Sequence, residues 1–208
     1  MRTKTKALAL ALCAVLLVVT TVFVTMAFLT SEDSVQNTFT VGEVTISLDE
    51  LDVDDDKVLT DNKEYTKDGR TTTRDKANEY KLIPGKTYIK DPIVHVEEGS
   101  EPCYLFVKVE NGLVGAEANT NTIASQLAAN GWYQVNGISN VYYYGTENGI
   151  LAVDGGQDKL VFSNFTIDGS IKADVLAEYA TEEIMVTAYA IQAESFENTA
   201  IADIWANF

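Results

Sequence analysis

The chain has 208 residues, room for one domain and a leader, with 15 basic and 31 acidic residues and a formal net charge of −16. A surface that negative repels nucleic acid and anionic lipid, so the sequence argues against both as partners. Of the two cysteines, Cys13 lies in the N-terminal hydrophobic stretch, so Cys103 has no partner for an intrachain disulfide and an ordinary core must hold the fold.

Residues 1–27 stand apart. Arg2, Lys4 and Lys6 precede an uncharged run over residues 7–24, and Thr25-Met26-Ala27 puts small residues at the −3 and −1 positions of a cut between Ala27 and Phe28. That is the plan of a secretory signal peptide, and it predicts an exported protein that touches a membrane only through this leader. An apolar run of about 18 residues also sits at the lower edge of spanning length, so a retained N-terminal anchor is the alternative. Without the leader the balance is 12 basic against 31 acidic residues, a net of −19.

Residues 28–37, FLTSEDSVQN, form a polar tether with an apolar start. From residue 38 a domain begins that runs to Phe208. Phe39 and Val41 alternate with polar neighbours, and after Gly42 the phase shifts to Val44, Ile46 and Leu48. A one-residue slip at a glycine marks a β-bulge, so Thr38 to Leu48 reads as one strand bulged at Gly42. Residues 50–79 are a highly charged insertion with room for a weak hairpin. Its Asp52, Asp54, Asp55 and Asp56 could hold Ca²⁺, a hard cation that suits oxygen ligands. The EF-hand order of ligands is absent, and the plainer reading is a solvated acidic loop; no other cofactor is expected.

Pro84-Gly85 predicts a turn. Tyr88 to Lys90 and Ile93 to Val96 are strand-like, and Pro92 between them suggests an edge or a kink. The stretch from Cys103 alternates with apolar groups on both faces, which predicts a central, buried strand with Cys103 as a small hydrophobe. Residues 114–130 hold the one clear internal helix, capped by Asn121 or Thr122, with Ile123, Leu127 and Ala128 on one face. GWYQVNG, VYYYGTENG and KLVFSNFTID follow at even spacing between turn residues, the signal of an antiparallel sandwich or barrel. DVLAEYA reads as a short helix or turn, and EIMVTAYAIQAE as a strong strand. Ile201, Ile204, Trp205 and Phe208 stand at helical spacing and predict a short C-terminal helix docked by Trp205.

Three stretches together resemble the TasA/camelysin family of Gram-positive bacteria, exported with leaders cut by the signal peptidase SipW. They are the leader joined to AFLTSEDSVQNTFTVGEVTISLDE, the turn-and-strand run LIPGKTYIKDPIVHVEEGSEPCYLFVKVEN, and the end VTAYAIQAESFENTAIADIWANF. The resemblance leaves out residues 50–78. It implies a mainly β fold, a jelly-roll-like antiparallel β-sandwich, in a protein secreted into biofilm-matrix fibres through self-assembly or assembly with related matrix subunits. It also implies that residues 28–37 act as a donor strand, adding to the open sheet edge of the next subunit, with Phe28, Leu29 and Val35 as pocket contacts. A disordered N-terminus is the alternative for those residues, and a monomeric or anchored surface adhesin the alternative for the whole chain.

The family also carries the label of a metallo-endopeptidase. A zinc peptidase needs three protein ligands, most often presented as His-Glu-x-x-His. This chain has one histidine, His95, with Asp91, Glu97 and Glu98 near it in sequence. Alternation along a strand sends neighbours to opposite faces, so the sequence favours a surface or packing histidine and no catalytic residue. No Gly-x-Ser-x-Gly elbow or phosphate loop is present. Trp132, Tyr133 and Tyr142 to Tyr144 could stack on sugars, but three consecutive tyrosines in a strand serve both faces and place at least one in the core.

Overall fold

The computed structural model describes residues 3–29, 42–53, 64–67, 70–75 and 78–208. They fall into two compact units, Met1–Val41 and Gly42–Phe208. In the first unit α1 spans Thr3–Leu29. Leu8, Leu10, Leu12, Val15 and Leu16 are all exposed on it. An exposed apolar surface without a polar face is unlike a helix that lies on a globular core. α1 runs through the Ala27–Phe28 pair and ends at Leu29, two residues beyond the expected cut. Among the described residues no helix is long and apolar enough to cross a membrane.

The second unit is rich in antiparallel strands, distributed over several sheets. The strands are β1 (Ile46–Leu51), β2 (Glu64–Lys67), β3 (Arg70–Asp75), β4 (Thr87–Ile89), β5 (Ile93–Val96) and β6 (Cys103–Asn111). They continue with β7 (Trp132–Gln134), β8 (Val141–Thr146), β9 (Gly149–Ile150), β10 (Ala152–Val153), β11 (Asp158–Leu160), β12 (Asn164–Thr166) and β13 (Ile184–Gln192). One sheet has the order β11-β5-β1-β3-β2; a second is built on β6, which pairs with β13, β8 and β10; β4 and β12 form a small third.

The predicted strand 38–48 is placed differently. Residues 38–41 lie outside the described residues, Gly42 to Thr45 precede the strand, and pairing begins at Ile46 and runs on to Leu51. The backbone from residue 43 is nonetheless tied down, because Glu43 C=O accepts from Glu101 N–H at 3.0 Å and Thr45 C=O from Glu97 N–H at 3.0 Å. Within the insertion β2 and β3 form the expected hairpin, and β3 joins β1 through Glu50↔Asp75 and Leu51↔Arg74.

Pro84-Gly85 makes the expected turn. Gly85 has φ 75°, a region closed to most side chains, and Lys86 N–H donates to Ile83 C=O at 3.1 Å. Pro92 marks a change of sheet: β4 before it pairs with β12, and β5 after it pairs with β1 and β11. β5 is therefore no edge strand. Pro92 offers no N–H, but its C=O still accepts from Val161 N–H at 2.8 Å.

β6 is central and feeds two cores, as its double apolar alternation predicted. Cys103, Leu105, Val107 and Val109 enter the main cluster with Val94, Trp132, Phe162 and Phe165. Phe106, on the opposite face, enters a second cluster with Val135, Val141, Tyr143 and Ile204. Full burial of a residue such as Leu105 or Phe106 is worth about 1.5–3 kcal/mol. Tyr143 is buried in the second cluster while Tyr142 and Tyr144 pack on the first.

The internal helix α2 (Ile123–Ala129) is capped by Thr122, whose hydroxyl accepts from Ser125 N–H at 3.2 Å. Ile123 and Leu127 are buried as expected; Ala128 is exposed, and Gln126 takes the third buried position. The DVLAEYA stretch forms α3 (Ala173–Ala177), and the chain closes with α4 (Ile201–Trp205). There Ile204, at 0% exposure, is the docking residue. Trp205 is half-buried and packs edge-on against Tyr189 with ring centres 4.9 Å apart.

Candidate functional site

β13 is nine residues long and pairs with β6 along one edge. Glu183 C=O accepts from Gly112 N–H, and Ala193 N–H donates to Pro102 C=O, so odd-numbered residues make the bonds to β6. The backbone groups of Ile184, Val186, Ala188 and Ala190 then point to the other edge, where no strand pairs among the described residues. β1 lies between β5 and β3 in its sheet. Thr45 and Glu97 are hydrogen-bonded partners, so in the register with β5 the backbone groups of Ile46 and Leu48 point away from β5. Among the described residues β3 pairs with β1 at Glu50 and Leu51.

A cavity of about 1370 Å³ is lined by these two stretches, residues 46–50 of β1 and 184–188 of β13. Its lining also includes Leu113, Phe165 and Leu176, which belong to the main core. The groove therefore offers backbone donors and acceptors on two strands and apolar surface that reaches core residues.

Among the polar lining residues are Glu50, Lys90 and Asn78. Glu50 is only 4% exposed, and Lys90 Nζ donates to its two carboxylate oxygens at 2.7 and 3.0 Å. Asn78 Nδ2 donates to Glu50 Oε1 at 3.0 Å and to Leu51 C=O at 2.9 Å, and its Oδ1 accepts from Val53 N–H at 2.9 Å. These bonds fix the backbone at the end of β1.

Behind that end runs a ladder of alternating charge across four strands and the β4–β5 connection. His95 on β5 is 3% exposed. Its Nδ1 is 2.6 Å from Asp158 Oδ1 on β11, and its Nε2 is 3.1 Å from Asp49 Oδ1 on β1. The same Asp49 oxygen accepts from Arg74 Nε on β3. Arg74 Nη1 donates to Asp91 Oδ2 at 3.1 Å, and Nη2 to the C=O of Asp91 at 3.0 Å and of Asp49 at 3.2 Å. Burial opposes the charged imidazole, but the hydrogen bonds to Asp49 and Asp158 outweigh it and raise the His95 pKa above its usual value. Burial likewise opposes the Asp49 carboxylate, and the bonds from His95 and Arg74 overcome it and lower that pKa.

His95 is thus buried between two carboxylates, the packing alternative and not the surface one. The carboxylates that reach it are not the Asp91, Glu97 and Glu98 that flank it in sequence. They are Asp49 and Asp158, 46 and 63 residues away, brought beside it by strand pairing. Among the described residues no group of three or more His, Cys, Asp or Glu side chains is arranged to hold a metal ion. Cys103 is buried, and burial, with the Asp154 charge adding, pushes its thiol to about 11, which leaves it protonated at neutral pH.

The remaining expected positions are distributed as follows. Ala27, Phe28 and Leu29 form the last residues of α1. Val35 and the calcium candidates Asp54, Asp55 and Asp56 lie outside the described residues; Asp52 follows β1 and is half-buried. Gly42 packs close to Glu101, whose Cγ would stand 2.6 Å from an added Cβ. Comparison with known protein families, with curated proteins and with solved structures finds no match.

Proposed function

We propose that this is a secreted structural protein of the TasA/camelysin kind, a subunit or accessory of extracellular fibres, in a jelly-roll-like β-sandwich built by strand donation. The groove between β1 and the β13 edge carries the reading. It is an acceptor for one more strand. The donor is residues 28–37 of a neighbouring copy, released when the leader is cut between Ala27 and Phe28. Ten extended residues reach about 33 Å, close to the roughly 30 Å of a nine-residue strand such as β13. Leu29 and Val35, six positions apart, fall on one face of that donor, and Phe28 on the other. Each subunit then accepts at one place and donates from another, a heterologous contact that propagates as a filament.

The test is sedimentation and negative-stain imaging of residues 28–208 beside residues 38–208. Filaments from the longer form and monomers from the shorter are expected. Monomers from both would sink self-assembly through the tether and leave an adhesin as the reading. An intact N-terminus on the exported protein would leave no donor and make it an anchored module. A zinc ion that copurified with a chelator-sensitive peptidase activity would instead bring back the enzyme.

A further inference from the structure

We propose that the Asp158–His95–Asp49–Arg74–Asp91 ladder is a proton-operated latch. Its charged imidazole holds the end of the acidic insertion against the sheet, and loss of one proton loosens Arg74. Among the described residues the backbone joins β3 to β1 through the pairs Glu50↔Asp75 and Leu51↔Arg74. The side-chain bonds of Arg74 to Asp49 and Asp91 add to this attachment. His95 acts on them through one atom, because Asp49 Oδ1 serves both His95 Nε2 and Arg74 Nε.

An imidazolium donates from both nitrogens, and a neutral imidazole from one. The Asp158 contact is the shorter, 2.6 Å against 3.1 Å, so the remaining N–H stays on Nδ1. The Nε2 lone pair then faces a carboxylate oxygen. Asp49 turns from it and disturbs the oxygen that it shares with Arg74. Among the described residues the charged groups that face the ring include Asp158 from β11 and Asp49 from β1, with Arg74 from β3 behind Asp49. On its own strand side, Glu97 accepts a hydrogen bond from Ser47 at 2.7 Å. Burial lowers the pKa of the ring, and its hydrogen bonds to Asp49 and Asp158 outweigh burial and raise it above the usual value, so the proton is held to higher pH than on a free imidazole. Because Asp49 and Glu50 line the groove, the latch also sets one end of its wall.

The chain has a single histidine, so one labelled residue reports the switch. The experiment uses the full chain in detergent micelles. Nitrogen-15 NMR of the imidazole is followed from pH 5 to 10, beside brief trypsin digestion scored as cleavage after Arg74 relative to cleavage after exposed Lys172. The expected result is a ring that passes from two protonated nitrogens to one as pH rises, with a cleavage ratio that rises several-fold over the same pH range. Asp158→Asn, at a side chain 59% exposed, removes one partner and should move both midpoints to lower pH together. His95→Gln should give the high ratio at every pH. A ring that keeps one protonation state from pH 5 to 10, or a ratio that stays flat while the ring titrates, overturns the proposal.

Discussion

Arg74 sits 6% exposed between two carboxylates, and its removal leaves Asp49 and Asp91 facing each other across a partly dry site. Arg74→Met should cost about 3 kcal/mol, the scale for breaking a buried ion pair, read as a lower urea midpoint at an unchanged slope. The His95 contribution has a definite sign. Its folded pKa is raised, so the stability it adds is fully present below the unfolded value of about 6.5 and is lost as pH rises through the folded value. Asp49 is the reverse case: its pKa is lowered, so its contribution is present above about pH 3.9 and is lost as pH falls through the folded value. The stability gap between the wild type and His95→Gln should therefore be widest near pH 5–6 and narrow as pH rises through the folded value; a gap that widens with pH would contradict the sign. None of this ladder was legible from the sequence near His95, because its partners are set by register across strands. Gln126 was missed for a related reason. It looks like a polar residue on a helix, yet its side chain joins Asn121 C=O, Ser163 N–H and Asn164 C=O at 3.0, 2.9 and 2.8 Å.

At the scale of elements, strands with two apolar faces were the most legible. The alternation over residues 103–111 and 184–192 fixed which side chains enter each core, and the structure keeps that division. The edges were not legible, since periodicity tells which face is buried and not which backbone groups lack a neighbour. The β13 edge yields a prediction of its own. The Ala188 N–H points away from β6, so Ala188→Pro removes no bond of that ladder, and proline is tolerated on an edge whose N–H faces outward. The variant should melt within a few degrees of the wild type and fail to form filaments. Wild-type assembly from a normally folded Ala188→Pro protein would show that an incoming strand does not use this edge.

For the whole molecule, charge and polarity of assembly pull in different directions. With residues 1–27 removed the chain carries a net charge of −19, and the proposed filament would bring like charges together. A donated strand offsets this with backbone bonds and apolar contacts, neither of which is weakened by screening. Added monovalent salt should therefore speed assembly, with most of the effect reached by about 0.15 M, where the screening length is near 8 Å. A charge-paired interface would respond in the opposite direction. Head-to-tail donation adds a sharper demand. A chain that begins at residue 38 keeps the groove and lacks the donor, so it can accept a neighbour's strand but offer none onward. Mixed in at a small fraction with residues 28–208, it should cap growth, and mean filament length should fall as its fraction rises while the pelleted mass changes little. The Ala188→Pro chain with its tether is the complementary cap, since it donates but cannot accept. Both should shorten filaments, from opposite ends, whereas a symmetric interface would make both variants inert or both incorporate without effect.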